Sequence, residues 1–176
     1  LSPIPLSELV AEVRRIEKAN EAQEELQFLQ DNTVIKIAKP KVATVAALAH
    51  AMKNLVDKYG CNAGAILCWT ALQGELGIMP CAANAILNDM GIPVVCETDI
   101  HGAITALLAE AAVMNRSRGF FADWTVRHPD NPNGELLQHC GPWPFSVAKE
   151  KPELTCPIAF PDEGSLSAEA KSGNKL

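Results

Sequence analysis

The chain has 176 residues, 48% of them apolar, and its 15 basic against 21 acidic residues leave a net charge of −6. That length suits one domain with a real core, and the acidic balance excludes a nucleic-acid surface, which needs a basic field. No stretch reaches the roughly 18–20 uncharged apolar residues of a membrane helix, and no basic n-region followed by an apolar h-region marks a secretory signal.

The chain opens on Leu1-Ser2-Pro3-Ile4-Pro5 without an initiator methionine, which reads as an interdomain linker over 1–6. Ser7 is placed to cap a charged helix to about Gln30, with Leu9, Val13 and Ile16 on one face. Val34 to Ile37 predicts a short strand or an extended connection. A second helix is expected from about Val42 to Tyr59, stopped by Gly60. Ala65-Ile66-Leu67-Cys68-Trp69 reads as a buried strand. Pro80 opens a helix from Cys81 to Met90, and Ile92 to Cys96 reads as the next strand. Ile104, Leu107, Leu108 and Ala111 give Ile100–Met114 helical spacing. Phe120-Phe121-Ala122 and Leu136–Cys140 read as a third and a fourth core strand.

Short apolar strands alternating with helices predict an α/β fold: a three-layer, open parallel sheet of Rossmann-like or flavodoxin-like type with helices on both faces. This domain is expected over 7–160, with 161–176 a polar, aperiodic tail. The whole reads as a piece of a longer polypeptide.

Two predicted strands end on acid, Val94-Val95-Cys96-Glu97-Thr98-Asp99 and Phe120-Phe121-Ala122-Asp123. Ligands bind at the carboxyl edge of such sheets. Converging carboxylates there repel unless something offsets them, most simply a divalent metal. Each acid can also cap the element that follows, and Asp99, immediately before a helix, suits capping best. Glu97 lies two residues too early for that. His139 ends the fourth strand near the same edge and is expected in the pocket, as are Trp69 and Trp124, whose rings could wall a sugar site. His50 reads as structural and His128 as a loop residue.

Other chemistries find no support. Glycine-rich phosphate loops and a GxSxG elbow are absent. His139 and Cys140 are neighbours on a predicted strand, where adjacent side chains face opposite ways, so they make a poor nucleophile–base pair. The six cysteines show no CxxC spacing and read as reduced, buried residues of a cytoplasmic protein.

Cys68-Trp69-Thr70, Pro80-Cys81, Gly91-Ile92-Pro93, Cys96-Glu97-Thr98-Asp99, Phe121-Ala122-Asp123 and His139-Cys140-Gly141 occur in this order. Together they resemble the central (second) domain of the L-fucose isomerase and L-arabinose isomerase family, over roughly 60–145. The resemblance implies a metal-dependent aldose–ketose isomerase that uses Mn2+ or another divalent cation and a small sugar. It also implies a homo-oligomeric parent, trimer or hexamer. The residues matching Glu97 and Asp123 would bind the metal and shuttle a proton between C1 and C2 through a cis-enediol. Phe-Ala-Asp follows the fucose branch. The family's third ligand, a histidine in a C-terminal domain, has no matching segment here, so the isolated chain is expected to be inactive. The competing expectation is a non-catalytic binding or assembly module whose strand-end acids serve only as caps.

Overall fold

A computed structural model describes residues 1–157 and 162–170. The charged N-terminal stretch folds as two helices, α1 (Leu6–Ala19) and α2 (Gln23–Asn32), where one helix to Gln30 was expected. Asn20 stops α1 by adopting a left-handed conformation at φ 55°, with its N–H on the carbonyls of the last turn. Asparagine tolerates this conformation, which commonly ends helices. Helix α1 also starts before Ser7, after an extended Pro5, so Ser7 is not its cap. Ile4, within the expected linker, packs against the core.

After the short strand β1 (Val34–Ile35), α3 (Lys39–Tyr59) begins ahead of the expected Val42. Pro40 lies in its first turn, where a missing N–H costs nothing and a fixed φ helps. Gly60, at φ 61°, ends the helix as its position predicts. Val45, Leu48, Met52 and Leu55 are buried along α3, which packs against α1, α2 and α5 (Cys81–Asp89). Every residue of α5 from Cys81 to Asn88 is buried, so this helix has no solvent face. The core therefore lies among these four helices.

The remaining elements are β2 (Gly64–Ala65), α4 (Ala71–Leu76), β3 (Val94–Val95), α6 (Ile100–Ala112), β4 (Asp123–Arg127), β5 (Glu135–Gln138), β6 (Glu153–Thr155) and β7 (Ser165–Ser167). The fold is mixed α/β, with six α-helices and small sheets among the described residues. Strands β2 and β3 pair in parallel, as do β1 and β6, while β7 adds antiparallel to β6. These pieces take the place of the expected continuous three-layer parallel sheet.

Local chemistry explains the difference. The run Ala65–Trp69 leaves the strand after Ala65, and Leu67 is exposed. Phe120-Phe121-Ala122 is not a strand. The expected fourth strand appears as β5, but it pairs antiparallel with β4 in an exposed hairpin. The loop between them is far shorter than the dozen or more residues a parallel crossover needs. His128 Nδ1 shapes that loop by accepting the N–H groups of Asp130 and Asn131, each at 3.1 Å.

Ser165–Ser167, expected within a polar tail, forms β7 instead, with Leu154 and Leu166 paired and buried. Residues 158–161, and the tail's 171–176, lie outside the described residues. No described helix is long and apolar enough to cross a membrane.

Candidate functional site

Strands β2 and β3 lie side by side, the N–H of Gly64 on Pro93 O at 2.8 Å and that of Ile66 on Val95 O at 2.9 Å. Because they are parallel, their carboxyl ends open on one edge. Beyond β3 the chain bends through Glu97 (φ 62°) and Thr98 (φ 56°), two successive left-handed residues that are not glycine. Such positions cost about 1–3 kcal/mol each and persist where their surroundings hold them. Here the N–H of Thr98 binds Ile66 O and the N–H of Asp99 binds Cys96 O, both at 3.1 Å.

The segment after β2 is bent as well. Thr70 (φ 58°, ψ −65°) centres a three-residue turn closed by the Ala71 N–H on Trp69 O at 2.7 Å, the rarer and more strained hand of γ-turn. The two bends meet: the Trp69 indole N–H donates to Glu97 Oε1 at 3.4 Å. Asp99 takes the capping role its position suggested, accepting the Gly102 N–H at 2.9 Å at the start of α6. Gly102 is needed there, since a Cβ would lie 2.6 Å from Asp99 Oδ2 and 2.8 Å from the Phe121 ring.

Asp123 opens the exposed β4 and does not end a buried strand. His139 follows β5, its ring 5.2 Å from that of Phe121, with both ring nitrogens buried and without a hydrogen-bond partner. Burial depresses its pKa, but the Cys140 thiol and the carboxylates of Asp123 and Glu97 outweigh this and leave it raised. The carboxylates of Asp123 and Glu97 both act on His139, and Trp69 is bonded to Glu97. Trp124 stands apart from this description, 79% exposed on the hairpin. Among the described residues no group of three or more His, Cys, Asp or Glu is placed to hold a metal ion. An open cavity of about 540 Å³, lined by Arg116, Arg118 and Phe120 among others, includes none of Trp69, Glu97, Asp123 and His139.

Two further histidines behave as their positions suggested: His50 Nδ1 lies 3.0 Å from Glu25 Oε1 between helices, and His128 is exposed in its loop. The sequence expectation set His139 and Cys140 aside as a pair because of strand alternation. Strand β5 ends at Gln138, so strand alternation does not govern His139 and Cys140. The surroundings of the Cys140 thiol, Cys81 first and then His139, hold its pKa below the usual thiol range. The signal available in the sequence was Gly141, which breaks the strand before any alternation can be relied upon.

Glu97 thus lies at the carboxyl edge of the parallel pair β2–β3 in a mixed α/β chain. No protein-family model matches the chain. It is 28% identical over 109 residues to a sulfoquinovose isomerase of Alkalicoccus urumqiensis, covering 62% of this chain and 24% of that protein. Sulfoquinovose isomerases of Priestia aryabhattai and Priestia megaterium are each 27% identical over 156 residues, 88% of this chain and 32% of theirs. The chain thus spans under a third of the length of the curated relatives it matches.

Proposed function

We propose that this chain is part of an aldose–ketose sugar isomerase and supplies the acid edge of its active site. The observation that carries this reading is the placement of Glu97. It sits in a left-handed bend at the end of a parallel strand, bonded to Trp69, while the adjacent Asp99 does the capping. A residue that only ended a strand would gain nothing from that strained conformation. The similarity to sulfoquinovose isomerases supports the same class and suggests sulfoquinovose as the substrate.

In this reading the Glu97 and Asp123 carboxylates relay a proton between C1 and C2 of the open-chain sugar through a cis-enediol. His139, close enough to both acids to feel their charge, is proposed to hydrogen-bond a sugar oxygen. Trp69 fixes the Glu97 carboxylate and offers an aromatic wall to the sugar. Glu97 and Asp123 have the hard oxygen donors that a divalent cation such as Mn2+ prefers. Two carboxylates fall short of a complete donor set among the described residues. When bound, that cation would polarise the sugar carbonyl and hydroxyl oxygens. The parent is proposed to be a homo-oligomer. The exposed Ile104 and Leu108 of α6 support this, since they give an assembly an apolar surface to cover.

Calorimetric titration of Mn2+ into the chain and into its Glu97→Gln and Asp123→Asn variants tests the reading. Each variant is expected to weaken binding about tenfold or more. Unchanged affinity in both would leave the strand-end acids as caps and turn formers and overturn it.

A further inference from the structure

Two asparagines stand one turn apart on the buried helix α5, and both reach towards β3. Asn88 is buried, and its Oδ1 accepts the Val94 N–H at 2.6 Å, at the start of the strand. Its Nδ2 donates to Pro142 O at 2.5 Å, in the segment that follows His139. Asn84, fully buried, sets its Nδ2 3.6 Å from Cys96 Sγ, at the other end of β3 and next to Glu97. One carboxamide, that of Asn88, thus holds two backbone segments far apart in sequence.

The place of Val94 in the sheet explains what Asn88 supplies. Pro93 O and Val95 O accept the ladder bonds from β2, so alternation turns the Val94 N–H to the other side of β3. No third described strand pairs there. A buried N–H needs an acceptor, and the buried Pro142 carbonyl needs a donor. A carboxamide offers both on one planar group, so it serves as a spacer in place of direct backbone pairing. The segment bonded to Asn88 is also tied to β7: the Ser165 hydroxyl donates to the Cys140 carbonyl, and a Cβ at Gly141 (φ 108°) would lie 2.6 Å from the Leu166 nitrogen. Both ends of the bridge lead to the candidate edge, since β3 runs on into the Glu97 bend and His139 precedes Pro142. Phe121 links the two, its ring 5.2 Å from that of His139 and 2.8 Å from where a Cβ at Gly102, in the first turn of α6, would lie.

We propose that Asn88 is a positioning residue of the candidate site: by bridging the Val94 N–H and Pro142 O, its carboxamide sets the spacing between the strand that presents Glu97 and the segment that presents His139. The role in a site rests on the isomerase reading, whereas the bridge itself rests on hydrogen-bond geometry alone. Asn88 lies behind the edge on α5 and acts through the backbone at both ends. Side chains that carry a site keep their geometry only where such supporting bonds hold them. Removing the carboxamide leaves a buried donor and a buried acceptor unpaired and frees the His139 segment from β3.

Long-range HNCO spectra of the isotope-labelled wild-type chain read the bridge without any variant. Scalar couplings are expected from the Val94 amide nitrogen to the Asn88 side-chain carbonyl carbon, and from Asn88 Nδ2 to the Pro142 carbonyl carbon. The absence of either would overturn the proposal. Sub-stoichiometric Mn2+ then reads the positioning. Asn88→Ala should keep the broadening of amides around Glu97 and lose it around His139. Leu87→Ala, another buried change on the same helix, should keep both. Broadening that persists at His139 in Asn88→Ala, or that Leu87→Ala also removes there, would overturn the positioning role. A wild-type chain in which Mn2+ broadens neither set counts against the isomerase reading, and metal-free amide spectra then decide the inference. In those spectra Asn88→Ala should displace the resonances of both Cys96–Asp99 and His139–Gly141, and a displacement confined to the β3 side would overturn it.

Discussion

The helices α1, α3 and α5 and the β4–β5 hairpin draw on similar apolar residue types, yet Leu48 is fully buried while Trp124, Val126, Leu136 and Leu137 are exposed. In α3 the buried Val45, Leu48, Met52 and Leu55 recur at helical spacing and meet α1, α2 and α5. In the hairpin, Trp124 pairs with Leu137 and Val126 with Leu136, and no described element covers either face. An apolar run becomes core only when its period matches an element with a partner layer. Without that layer the same residues remain surface.

The largest effect that would break this contrast is on stability. Leu48→Ala should cost about 3 kcal/mol in urea denaturation, the usual loss for a fully buried leucine. Leu137→Ser should change stability by no more than about 0.5 kcal/mol. Comparable losses for the two would mean the hairpin is as integral to the folded core as α3.

A second, smaller contrast lies within the edge itself, between a capping acid and a strained one. Asp99→Ala removes a side chain that accepts the Gly102 N–H and should cost about 1 kcal/mol. Glu97→Gly relieves a left-handed backbone and should gain about 0.5–1 kcal/mol while losing Mn2+ affinity. Thermal denaturation reads both signs, and a loss of stability at Glu97→Gly would remove the argument from strain.

The smallest predicted effect concerns pH. Glu12 joins α1 to α3 by accepting from Arg15 at 2.9 Å and from Asn54 at 3.0 Å, and these bonds hold its carboxyl down at about 2, below the ordinary 4.5. A depressed carboxylate stabilises the fold fully above its unfolded pKa and loses that contribution as pH falls through its folded pKa. The window is therefore from 4.5 down to about 2. Solvent screening keeps the effect modest. Glu12→Gln should flatten that part of the melting-temperature profile, lowering the melting temperature modestly near neutrality and hardly at all near pH 2.

The legible parts of this molecule are those fixed by neighbours in sequence. Pro80 and Gly60 marked helix ends, the α1 spacing marked a buried face, and the position of Asp99 marked a cap. Asn20 went unread as a helix stop because its effect depends on a left-handed conformation that asparagine adopts only sometimes. Phe120-Phe121-Ala122 and Leu136-Leu137 carry strand-like residues, but the choice between a parallel core strand and an exposed hairpin rested on the loop between them. The left-handed bend at Glu97 and the Trp69–Glu97 hydrogen bond join residues distant in sequence or conformations that composition does not encode. Those features became visible only in the fold.

Paramagnetic broadening by Mn2+ in amide NMR spectra of the isotope-labelled chain tests the acid edge most directly. The account predicts that sub-stoichiometric Mn2+ broadens the amides around Glu97, Asp123 and His139 first, and that Glu97→Gln abolishes that pattern. Broadening centred instead on the acidic face of α1 around Glu8 and Glu12, or spread evenly over the surface acids, would contradict it.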